Sequence, residues 1–225
     1  VIIKNQVMSS IESEKRLLSY TDFVRFVPFN GILFLASYMR VAFITGYGAA
    51  YFAGCKSIKE NDDCKLTLNY DKYNVMFQAG NSLNGLFAFL FAGLVGYLSD
   101  IYGRKPLLYY QVFTTWIAYF VMLFVNNMYI FIGLYTFMGL NGAITTLCPA
   151  QISYIADVLP NDKQLNGYGF VYLIGGSCFL FGTGIAYVIS FFINDHSNFY
   201  AINGLFVIAL LYLHFVVREP IKEVK

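Results

Sequence analysis

Arg40 stands midway along an apolar stretch, residues 29–52. A guanidinium at the centre of a lipid-crossing segment costs about 2.5–3.5 kcal/mol on insertion scales, and no acidic residue lies deep in any other apolar stretch to offset it. The chemistry open to it is anion binding, because the planar fork offers paired donors to a carboxylate or phosphate. Pairing with helix-end carbonyls or with an acid on another domain, and snorkelling to an interface, are the structural alternatives. A second polar set follows: Asn74, Gln78, Asn81 and Gly85 recur at i, i+4, i+7 and i+11 and so share one helical face. Gln78 and Asn81, with Asn141 and Thr145 on a later stretch and Tyr172 beyond, are candidates to line the same cavity as Arg40, though each could equally bond a neighbouring helix. His214 reads as a packed or interfacial histidine.

A third cluster is the stretch "GYLSDIYGRKP", residues 96–106, a polar joint between two apolar runs. Gly96 removes a side chain and so permits close helix approach, while Gly103 permits a tight reversal. Asp100 is placed to pair with Arg104 or to meet the positive end of another helix. Arg104 and Lys105 would anchor the turn. A plain loop accounts for the two bases but not for the acid and glycines around them.

The elements that position these residues follow from composition. Hydrophobic residues make up 58% of the 225 and charged residues only 12%, against about 25% charged in ordinary soluble domains; too few ionic groups exist to cover a water-facing surface. A bilayer-spanning helix needs about 20 apolar residues, and six such runs are marked: 29–52, 74–98, 106–125, 128–156, 168–193 and 199–217. The expected fold is an all-α membrane bundle of six helices over 28–217, preceded by a water-facing tail at 1–27 and followed by the start of a linker at 218–225. The mixed charges before residue 28 lack the apolar core of a secretory signal.

With six crossings both termini share a side. That side holds Lys4, Lys15, Arg16, Arg25, Arg104, Lys105, Lys163, Arg218, Lys222 and Lys225, while Lys56, Lys59, Lys65 and Lys72 lie opposite; the positive-inside rule then puts both termini in the cytoplasm. The loop of Ala53–Tyr73 carries Cys55 and Cys64, an open candidate for a disulfide if that face is oxidising. Bases do not cluster with aromatics into a stripe, so nucleic acid is an unfavoured partner. Two histidines and four scattered cysteines give no metal-ligand spacing, and no phosphate-cradling glycine loop occurs; neither a cofactor nor an enzyme activity is expected.

Gly96, Leu98, Asp100, Gly103, Arg104 and Lys105 reproduce the G-x-L-x-D-x-x-G-R-K signature that joins helices two and three in the major facilitator superfamily, and the chain resembles that family over about residues 80–220. "YIADVLPNDKQLNGYGF", from Tyr154 to Phe170 and including Asp157, looks like the passage from helix four to helix five in its drug-efflux branch, the tetracycline exporters and hippocampus-abundant-transcript-like proteins. Departures are Ile101 at a position often basic in the family, Met138 where proton-coupled members carry arginine, and Thr183 where antiporters place proline. The resemblance implies a secondary transporter that moves a small organic solute by rocker-switch alternating access. It also implies that this chain is the N-terminal half of a twelve-helix machine, with a C-terminal six-helix half as partner, on the same longer chain or a second subunit. Arg40 matches an arginine placed in helix one by members that carry organic anions. The alternative from another class is a transporter-like membrane scaffold that no longer transports.

Overall fold

The computed structural model describes residues 2–54, 68–141, 149–193 and 195–220. Among them all regular structure is helical: α1 (Ile2–Phe52), α2 (Leu68–Tyr102), α3 (Arg104–Met122), α4 (Met128–Phe137) running into a 3-10 turn (Met138–Asn141), α5 (Pro149–Val158), α6 (Asn161–Phe192) and α7 (Asp195–Phe215). Among the described residues four segments are long and apolar enough to cross a membrane: Tyr20–Phe52, Asn69–Tyr102, Asn161–Phe192 and Asp195–Phe215. α3, with 19 residues, sits in the third expected run.

The core is aromatic. Phe43, Tyr47 and Phe199 meet edge to face between α1 and α7, and Tyr73 stacks between Phe52 and Phe77 where α1 meets α2. α1 lies along α6 and α7 as its main partners. Small residues set that spacing: a Cβ on Gly182 would come within 3.1 Å of the α1 backbone at Met39.

Two differences from the sequence reading have physical causes. α1 passes residue 28 without a break, with Pro28 inside it. Ahead of that boundary, Phe26 stacks on Tyr154 at 4.1 Å and Phe23 lies near Phe170, so both rings are buried. The expected fourth run, 128–156, does not continue as α-helix through Met138–Asn141. There Gly139 presses against α2 so closely that a Cβ would overlap the Asn84 carbonyl. The Asn84 amide donates to the Tyr135 carbonyl at 2.8 Å, and Gln111 donates to the Asn141 carbonyl at 3.0 Å. Side-chain amides from α2 and α3 thus satisfy carbonyls that helix continuation would otherwise have to serve. Thr145, Cys148, Cys55 and Cys64 lie outside the described residues.

Candidate functional site

The joint between α2 and α3 is a one-residue reversal. Gly103 has φ 102°, a backbone state that strains any residue with a Cβ, and α3 starts at the next residue. The sharp return folds Arg104 back over the end of α2. Its Nη1 donates to Asp100 Oδ1 at 2.7 Å and Ser99 Oγ at 2.8 Å, and its Nε donates to Asp157 Oδ2 on α5 at 2.6 Å. One guanidinium therefore ties three helices together. The arginine side chain is 10% exposed, Asp157 33% and Asp100 66%, so the Asp157 pair is the one sheltered from solvent screening. Burial pulls the Arg104 pKa down, but the bonds and charges of Asp157 and then Asp100 outweigh it and the net direction is up.

The joint has two further members that sequence reading did not find. Ser99, fully buried, immediately precedes Asp100. Glu219, beyond α7, places Oε1 at 2.6 Å from the Arg104 amide and Oε2 at 2.8 Å from the Lys105 amide. In return the Lys105 ammonium donates to the carbonyls of His214 at 3.1 Å and Val217 at 2.6 Å. Tyr154 on α5 donates to the Arg218 carbonyl at 2.9 Å. The only sequence hint was an acid before a proline just after the last apolar run; nothing in its spacing links residue 219 to 104. Gly96 makes no close approach among the described residues, since a Cβ there would meet nothing within 4 Å.

The candidate substrate residues separate into two places. Arg40 is 8% exposed; its guanidinium lies 5.5 Å from the Tyr119 ring centroid on α3, a cation–π arrangement, and its buried Nε has no hydrogen-bond partner. It makes no ion pair with a described residue. One turn along α3 from Tyr119, Thr115 accepts from the Asn141 amide at 3.2 Å, and Thr114 donates to Asn141 Oδ1 at 2.9 Å. Gln111, Thr115 and Tyr119, at i, i+4 and i+8, form a polar line down the inner face of α3 that connects Arg40 to Asn141. That periodicity was visible in the sequence and would have found them. Gln78 and Asn81 lie instead on an exposed face of α2, where Asn81 accepts from the Tyr135 hydroxyl at 2.9 Å. Tyr172 is also exposed. His214 is exposed and packs edge-on to Tyr109 and Phe215.

At the far end of α1 from the joint, Tyr47 bonds the His196 ring at 3.1 Å and Tyr51 donates to Asn126 at 2.7 Å. Tyr47, Tyr51 and His196, with Phe131 and Phe199, line a cavity of about 10 Å³, room for one water molecule. Among the described residues no group of three or more His, Cys, Asp or Glu could hold a metal ion.

Comparison with known proteins gives the same answer as the joint. The tetracycline resistance protein, class H, of Pasteurella multocida is 33% identical over 97 residues, 43% of this chain and 22% of that protein. Hippocampus abundant transcript-like protein 1 of Homo sapiens is 32% identical over 89 residues, 40% of this chain and 17% of that protein. The major facilitator-type transporter psiT1 of Psilocybe cyanescens is 28% identical over 138 residues, 53% of this chain and 29% of that protein. The chain thus spans less than a third of the length of each of these relatives, and its likeness to the drug-efflux branch is at low identity. The family model described as Major Facilitator Superfamily matches residues 66–225, a region that includes the whole Arg104 joint and more than half of the sequence, and the chain therefore belongs to the major facilitator superfamily of membrane transporters.

Proposed function

We propose that this chain forms the N-terminal six-helix half of a secondary transporter, carrying a small organic anion by rocker-switch alternating access against a C-terminal six-helix half. Family membership implies a transporter rather than an enzyme. The observation that supports the mechanism is the Arg104 hub, because a single buried guanidinium bonded to α2 and α5 from the start of α3 is a contact that rocking of the bundle would make and break. On this reading α3, and α4 with α5, are the third and fourth crossings, and both termini and the joint then face the cytoplasm, which the distribution of bases supports.

Arg40 supports the anionic substrate. A buried guanidinium whose Nε has no hydrogen-bond partner, and which meets no carboxylate among the described residues, is incomplete as a purely structural element, and its paired donors suit an oxyanion. Asn141, held on both sides by Thr114 and Thr115, positions the polar line beside it; Gln78 and Asn81 face the open side of α2, where the partner half would close the substrate path. The test is uptake by the full-length protein in proteoliposomes against a panel of labelled organic anions and cations. Arg40→Ala is expected to abolish anion uptake, with Arg40→Lys retaining a fraction because an ammonium keeps the charge but not the paired donors. Undiminished uptake of every transported anion by Arg40→Ala would remove the assignment.

A further inference from the structure

Gly103 leaves α3 without a cap of its own. It has no side chain, and its φ of 102° excludes the serine, threonine or aspartate that ordinarily accepts from the first free amides of a helix. The acceptor comes from 115 residues along the chain: both carboxylate oxygens of Glu219 are used, one on each of the first two amides of α3. A negative charge there also meets the positive end of the α3 dipole. The reciprocal contact has opposite sign, with Lys105 on the C-terminal carbonyls of α7. Tyr154 holds the residue between. Val217, Arg218 and Glu219, three consecutive residues outside any helix, are thus each fastened to α3 or α5, and the fit is close enough that a Cβ on Gly103 would come within 2.6 Å of Glu219 Oε1.

We propose that Glu219 is a positioning residue of the joint: by capping α3 from the chain that leaves α7, it makes the path of that chain a control on how firmly the Arg104 hub stays closed. The inference rests on reading the hub as the moving joint of a transporter, but its first readout does not. Full-length protein in nanodiscs, as wild type, Glu219→Ala and Glu219→Gln, is followed by hydrogen exchange of the amides at 104 and 105. Loss of a cap of ordinary strength is expected to speed exchange about fivefold in Glu219→Ala, with Glu219→Gln between it and wild type because one acceptor oxygen remains. In a background with every native cysteine, including the four of this sequence, replaced by serine, thiol labelling of Ile101→Cys, on the exposed surface of the joint, is expected to rise by a similar factor. Unchanged exchange at 104 and 105 overturns the cap. Faster exchange with unchanged labelling at 101 makes Glu219 a local structural cap and overturns its control of the joint. If both readouts move while the wild-type protein transports nothing in the panel above, the positioning role stands and the transport reading fails. Should Glu219→Ala not accumulate as folded protein, Glu219→Gln is read in the same way.

Discussion

The two acids on Arg104 should differ in worth by several-fold although their bonds are equally short. Asp157 and the guanidinium are 33% and 10% exposed, whereas Asp100 is 66% exposed. An exposed pair contributes about 0.2–1 kcal/mol, while breaking a fully buried one costs about 3–5 kcal/mol. The Asp157 pair lies between these limits, and about 2 kcal/mol is the value its partial burial supports, against about 0.5 kcal/mol for Asp100. For a chain of this size 1 kcal/mol corresponds to about 2–4 °C in Tm, so Asp157→Ala should lower the melting point of the purified protein by about 4–8 °C and Asp100→Ala by about 1–2 °C. Raising salt from about 0.1 to 1 M, which shortens the screening length from about 10 to 3 Å, should narrow the difference between wild type and Asp100→Ala more than that for Asp157→Ala. The assay is thermal unfolding in a single detergent, followed by size-exclusion chromatography of heated samples. Equal shifts for the two variants, or a larger one for Asp100→Ala, would refute burial as the quantity that ranks the pairs.

Gly139→Ala drives a methyl group into the Asn84 backbone and should cost about 1–3 kcal/mol as overpacking, seen as lower yield of monodisperse protein; Gly133→Ala, where a Cβ would meet nothing within 4 Å, is the control expected to be neutral or slightly stabilising. Tyr154→Phe keeps the 4.1 Å stack on Phe26 but removes the bond to the Arg218 carbonyl, a loss of about 1 kcal/mol that should lower Tm by about 2–4 °C in the same melting assay.

The long helices and the joint were legible because their physics is local. A lipid core forces long apolar runs, and the acid, the two glycines and the two bases of the turn sit within eleven positions, residues 96–106. The correct partner for Asp100, Arg104, follows from a spacing of i, i+4. What stayed hidden came from distance in sequence or from unlabelled chemistry. Arg40 was weighed against anions, acids, helix-end carbonyls and the interface, yet the group it meets is the ring of Tyr119, which no count of charges reveals. The 3-10 turn at Met138–Asn141 is flanked by two amides from other helices, Asn84 on the Tyr135 carbonyl and Gln111 on the Asn141 carbonyl, and an apolar run alone carries no sign of them. Gly96 was read as a place for close helix approach, and no described residue comes within 4 Å of a Cβ built there.

The span Tyr20–Phe52 is longer than a bilayer requires. Its 33 residues reach about 50 Å at 1.5 Å per residue, against a hydrocarbon thickness of about 30 Å. At its Phe23 and Phe26 end the helix is packed against Tyr154 and Phe170. Such a rod would act as a lever: a tilt of about 10° pivoting on Arg40 would carry Phe26, about 21 Å away along the axis, through about 4 Å. A small rotation at Arg40 would then be enough to part Phe26 from Tyr154, the residue whose hydroxyl holds the exit from α7.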